Sequence, residues 1–185
     1  TARCNWKFLI ENALETYHTG TVHQTSLGKQ QSEIIPTNGN WLCLRVFVDG
    51  KDSVSVLSSS DDIFPVQSHL EGKERTSPYF TNILPCPQFV FAPDAMWWLA
   101  INPVSAGETT LEVGSCFPAR NQASGKFDRI SKAYFDRLDT ATPEDNAICE
   151  AQHLGNLGNL DHQGRFGAEE ALVHKLANWV LDQTL

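Results

Sequence analysis

The sequence predicts an α+β fold: a curled antiparallel sheet with helices before and after it. Three observations predict it. Apolar residues recur at helical spacing near both ends of the chain, at Trp6, Leu9, Ile10, Ala13, Leu14 and Tyr17 and again at Phe127, Ile130, Tyr134, Phe135 and Leu138. Between them lie short runs rich in aromatic and aliphatic residues, separated by Gly, Pro, Asn and Asp. Those runs follow one another too closely for crossover helices, so they form a meander and not βαβ units.

Taken in order, residues 5–19 read as a helix that Gly20 interrupts. Residues 24–40 are polar, contain Gly28, Pro36 and Gly39, and read as a loop or lid. WLCLRVFV (41–48), Asp49-Gly50 and SVSVLSS (53–59) predict a hairpin, since Asp-Gly suits its tight turn. A polar connection with Pro65, His69, Gly72 and Pro78 covers residues 60–80. QFVFA (88–92), MWWLAIN (96–102) and ETTLEVGSCF (108–117) predict three more antiparallel strands. Trp97 and Trp98 are adjacent on a strand and point to opposite faces, so one of them can line a pocket with Phe89 or Phe91. Past residue 125 the period becomes helical. Thr142-Pro143-Glu144-Asp145 reads as the start of a second helix, with Thr as cap and Pro in the first turn, running to His153 or Leu154. A Gly- and Asn-rich loop (155–167) then leads to a last helix, AEEALVHKLANWVLDQ, able to lie across the concave face of the sheet.

Length and charge narrow the function. The chain has 185 residues, enough for one domain with its own core. A net charge of −8 disfavours a surface that tracks phosphates, so nucleic acid is not an expected partner. No apolar run reaches the ~18–20 residues of a membrane span, so no membrane is expected. The five cysteines are scattered, odd in number and without a CxxC pair, which predicts a reducing, cytoplasmic setting. The chain starts at Thr1 without Met or a signal-like segment, as an excised domain would.

His18 and His23 are five residues apart, about 500° on a continuous helix, which leaves the imidazoles on different faces. A break at Thr19-Gly20 lets both turn to one point. Glu15, about 300° from His18, shares its face. The segment can therefore offer one metal two imidazoles with a carboxylate beside the first, and a site with open positions needs one more anionic ligand. Taken alone, the same residues also read as ordinary helix-end histidines and a solvated acid, and Asp145 as a first-turn Asp favoured by the helix dipole.

The surrounding text goes further. NWKFLIENALETYHTGTVHQTSL (5–27) resembles the signature of Rieske-type ring-hydroxylating oxygenase α subunits. TPEDNAICEAQHLG (142–155) resembles the segment that supplies that family's carboxylate ligand, and GRFGAEEALVHKLANWVL (164–181) its closing helix. The resemblance implies a helix-grip (Bet v1/START-like) catalytic domain over residues 1–185, with Fe(II) held by His18, His23 and Asp145; Glu144 is the rival for the carboxylate. It implies that Glu15 bridges the iron site and the Rieske cluster of a neighbouring subunit, where most members carry Asp, and that Asn12 faces the iron. It further implies O2 and an aromatic or other small organic substrate, electrons from NAD(P)H through a reductase or ferredoxin, and a homotrimer of the full-length enzyme. The outcome is mono- or dihydroxylation or demethylation, and the C-terminal pattern leans toward the branch with choline- and carnitine-type monooxygenases. No cysteine has the C-x-H spacing of a Rieske centre, so the [2Fe–2S] cluster is expected on a missing domain or another chain. Two other readings stand beside this one. One is a non-catalytic helix-grip domain that binds a hydrophobic molecule. The other is a zinc hydrolase, disfavoured because no H-E-x-x-H is present.

Overall fold

The computed structural model describes residues 1–47, 53–158 and 164–185. Its first helix, α1 (Trp6–Asn12), is capped by the Asn5 side chain, which accepts the Lys7 N–H at 3.2 Å. It stops well short of the predicted residue 19. Ala13 and Leu14 bond back to Ile10 and Glu11, three residues earlier, and tighten the last turn. The Glu15 carboxylate then takes the His18 N–H at 3.2 Å, a local bond that competes with continuing the helix. The break therefore precedes Thr19-Gly20, and His18 lies within a 3-10 turn over Tyr17–Gly20, ahead of His23.

Six strands follow: β1 (Gln31–Ile35), β2 (Trp41–Phe47), β3 (Tyr79–Ile83), β4 (Gln88–Phe91), β5 (Met96–Ser105) and β6 (Glu108–Cys116). They form one sheet in the order of the chain, every neighbour antiparallel, as the turn-rich spacing predicts. The predicted hairpin is not what forms. Residues 53–59 make bends, β2 pairs with β1 and β3 instead, and Asp49-Gly50 lies outside the described residues. The reason is Asp94, buried between β4 and β5. Ser53 and Ser55 donate to its two oxygens at 2.9 and 2.8 Å, and Tyr134 donates to it at 2.6 Å. A strand would turn the serines away from their neighbouring valines, whereas here Val54, Ser55 and Val56 are all buried. β1 falls inside the predicted loop and β3 at the end of the predicted polar connection. Glu33 of β1 ties that edge down through Arg45 (2.7 Å) and Lys73 (3.0 Å).

After a short turn of helix, α2 (Ala119–Gln122), the chain enters α3 (Phe127–Gly158), 32 residues long. The two helices expected around Thr142-Pro143 are one. Pro143 gives up one backbone donor, but residues on both sides of it share a buried face, with Tyr134, Arg137, Ala141 and Cys149 turned inward. Asp145 accordingly sits in the middle of a helix and owes nothing to an N-terminal dipole. The last helix, α4 (Ala171–Thr184), buries Leu172, Val173 and Leu176. These join Leu9, Ile10 and Leu14 from the N-terminal segment and Leu42, Leu44 and Val46 of β2 in the main core.

A curled antiparallel sheet gripping a long helix is the helix-grip arrangement, and the helix that faces the cavity is α3 rather than the last helix expected there. This cavity, between the sheet and α3, is about 100 Å³, several times what one water needs. Its sheet wall comes from alternate inward residues: Leu44, Phe80, Trp97, Leu99 and Leu111. Among the described residues no helix is long and apolar enough to cross a membrane.

Candidate metal centre

One end of the cavity is built from two distant segments. The stretch from α1 through residue 30 brings Asn12, Glu15, His18 and His23. α3 brings Asp145. The segment after α1 is held in shape by buried Thr19, which donates to the Thr16 carbonyl at 2.7 Å and accepts the Gln30 N–H at 2.8 Å. The Leu27 and Gly28 N–H groups both return to the His23 carbonyl, and Gly28 takes the positive φ (76°) that closes this turn.

One ring nitrogen each of His18 and His23 and one oxygen of Asp145 lie within 4.8 Å of one another. The ring centroids are 5.2 Å apart and the rings are steeply inclined. His23 Nε2 is 2.9 Å from Asp145 Oδ1, and His18 Nε2 is 3.6 Å from the same oxygen. Asn12 donates to that oxygen at 2.8 Å.

The other nitrogen of each ring faces a glutamate. His18 Nδ1 is 2.5 Å from Glu15, and His23 Nδ1 is 2.7 Å from Glu144, which also accepts from Ser26 at 2.7 Å. A carboxylate accepts, so each Nδ1 carries a hydrogen; His23 Nε2 likewise donates to Asp145 in the metal-free chain, and each Nε2 is the nitrogen left to face a metal when no proton occupies it. Carboxylates placed this way fix ring orientation and make the imidazole a stronger ligand. At His23 burial opposes the charged ring, but the bonds to Asp145 and Glu144 outweigh it and raise the pKa above 6.5. Two imidazole nitrogens and one carboxylate oxygen suit a divalent transition metal, and this donor set with positions left open suits non-haem Fe(II).

All five residues singled out in the sequence thus meet at one place. Of the two neighbouring acids on α3, Asp145 joins the histidine cluster and Glu144 holds a histidine from behind. Two features lay outside the sequence reading, and a third corrects its expectation that Phe89 or Phe91 would line the pocket with a tryptophan. Ser26 supports Glu144. Arg137 lines the far side of the cavity with its cation 4.6 Å from the Trp97 ring. Phe89 and Phe91 stand on the other face of the sheet from Trp97, beside a second hollow, so the aromatic wall of the metal-side cavity is Trp97 with Phe80. That pairing follows from register, since Phe89 lies opposite Trp98.

Comparison with known proteins decides the family. The family model for ring hydroxylating alpha subunits (catalytic domain) matches residues 1–185. The chain belongs to this family. Sequence comparison with curated proteins finds no match. Among solved structures, the apo form of the quaternary ammonium Rieske monooxygenase CntA is similar at 19% identity and a TM-score of 0.62, over 98% of this chain and 44% of that one. The complex of CntA with L-carnitine gives 18%, 0.63, 98% and 46% on the same measures. Dicamba monooxygenase bound to dicamba gives 14%, 0.65, 98% and 55%. At these identities the likeness is one of fold. The chain spans well under two thirds of each of these structures.

Proposed function

We propose that this ring-hydroxylating domain is the oxygen-activating part of a Rieske-type non-haem iron oxygenase, with His18, His23 and Asp145 as the Fe(II) ligands. The observation that carries it is the double pairing: each imidazole is pinned at Nδ1 by its own glutamate and aims Nε2 at one shared carboxylate oxygen. When bound, Fe(II) supplies the activation of O2 for insertion into an organic substrate. The chain's own residues do the rest. Glu15 and Glu144 hold the Nδ1 protons, and Asn12 orients Asp145. Phe80, Trp97, Leu99 and Leu138 exclude water from the space beside the cluster. Electrons come from NAD(P)H through a reductase or ferredoxin and a Rieske cluster held outside this segment, with Glu15 behind His18 as the point of entry in a homotrimer.

His18→Ala and His23→Ala are expected to abolish binding of about one iron per chain while the circular dichroism spectrum is kept; full iron content by elemental analysis in either variant refutes the ligand assignment. Glu15→Gln is expected to keep iron and stop turnover once reductase and Rieske cluster are supplied. Normal turnover would remove Glu15 from the electron path. A domain that only binds a hydrophobic ligand would show no stoichiometric iron in the parent chain either.

A further inference from the structure

The cavity has a second charged end. Arg137 sits on α3 eight residues before Asp145, about 12 Å along the helix, and lines the same cavity. It is only 6% exposed. Its Nε donates to the Val54 carbonyl at 2.9 Å, and its guanidinium lies 4.6 Å from the centre of the Trp97 ring. The group is thus fixed in place by one bond and one stacked face, with further N–H donors to spare. Among the described residues no carboxylate comes within 4.0 Å of it. The acid whose charge reaches it is Asp145, which is already bonded to Asn12 and His23. Burial draws its pKa down to about 10, so the cation persists at neutral pH while lacking the solvation it would have in water. A buried charge is costly unless paired, and a guanidinium pairs best with a carboxylate, through two parallel N–H···O bonds.

The rest of the lining is largely apolar, with Phe80, Leu99, Leu111 and Leu138, although Gln88, Thr142 and Asn146 also stand on it. Trp97 is also part of the wall, but Arg137 already covers its ring. A substrate cation approaching that ring would meet a fixed positive charge, which removes the ring as a seat for a quaternary ammonium group.

We infer that Arg137, seated on Trp97, anchors a substrate carboxylate, so that this site takes organic acids with an apolar body and presents the end remote from the carboxylate to His18, His23 and Asp145. The anion-binding half of this inference stands on Arg137 alone; the orientation half rests on the iron reading above.

Calorimetric titration of the purified chain tests it with matched probes: 4-methoxybenzoate against 4-methoxybenzamide, hexanoate against hexanamide, and 4-methoxybenzyltrimethylammonium as the cation. At least one acid should bind tenfold or more tightly than its amide, and the cation should not compete with it. Arg137→Gln should bring the acid down to the affinity of the amide while amide affinity changes less than twofold, and Arg137→Lys should keep most of the preference. A purely structural Arg137 would move acid and amide together. Equal binding of acid and amide, no acid binding at millimolar concentration, or a preference that survives in Arg137→Gln overturns the inference. If Arg137→Gln does not fold, the comparison of probes on the parent chain decides. Iron analysis on the same sample separates the two proposals: stoichiometric iron without acid preference defeats this one alone, and acid preference without iron defeats only the iron assignment.

Discussion

At the scale of single residues, the site depends on what lies behind its histidines. Glu144 bonds His23 Nδ1 at 2.7 Å and is itself fixed by Ser26. Replacing it by Gln leaves an oxygen able to accept the ring hydrogen but removes the charge that makes the imidazole more basic. We predict that Glu144→Gln retains the metal but weakens Fe(II) affinity by about tenfold, the lower end for loss of such a supporting group. Competition against a chelator of known affinity measures it. Loss of stoichiometric binding at saturating iron would instead make Glu144 a ligand, in place of Asp145. The sequence separates these two acids only as rivals, because adjacent residues on a helix differ by about 100° in direction and only the packed structure says which direction faces the cluster. Glu15 was expected beside His18 from helical spacing; the contact forms even though α1 ends at Asn12, because it spans only three residues.

At the scale of elements, legibility followed burial pattern. β2, β4, β5 and β6 were readable because they are runs of aliphatic and aromatic residues bounded by turn residues, and in β2 Leu42, Cys43, Leu44 and Val46 are all buried. β1 was not, because it is an edge strand with no fully buried residue and owes its place to pairing with β2 and to Glu33. SVSVLSS had the right alternation for a strand, and a buried aspartate forty residues away drew its serines in. The continuity of α3 through Pro143 was illegible for a similar reason. A Thr-Pro start signal is local, while the shared buried face that overrides it is set by the sheet. Register carries one further consequence. Gly114 of β6 stands opposite Trp98 of β5, and a Cβ there would lie 2.5 Å from the indole. Gly114→Ala must displace that ring. We predict a loss of about 1–3 kcal/mol in urea denaturation, the range of overpacking, with iron content unchanged because Trp98 faces away from the cavity. Unaltered stability would mean that Trp98 is free to swing aside.

At the scale of the whole molecule, the candidate metal cluster joins the N-terminal segment to α3 across more than a hundred residues of intervening sheet, so metal binding at the proposed site would be coupled to folding. pH should act on this coupling in two opposite directions. In the metal-free chain the folded pKa of His23 is raised above its ordinary 6.5, chiefly because the bonds to Asp145 and Glu144 outweigh burial. The resulting stabilisation is fully present below 6.5 and is lost as pH rises through the raised value. Fe(II), by contrast, needs the neutral ring and must displace that proton. Its affinity is therefore full above the raised value and falls about tenfold per pH unit below it. At iron a hundredfold above its dissociation constant the linkage is worth about 2.7 kcal/mol, or about 5–10 °C in a domain of this size. We predict that, after chelation, the melting temperature declines from pH 6 to pH 8, while the increment produced by anaerobic Fe(II) grows over the same interval to about 5–10 °C. His23→Asn should flatten the first trend and abolish the second. An iron increment that is the same at pH 6 and pH 8 would show that His23 carries no proton for the metal to displace.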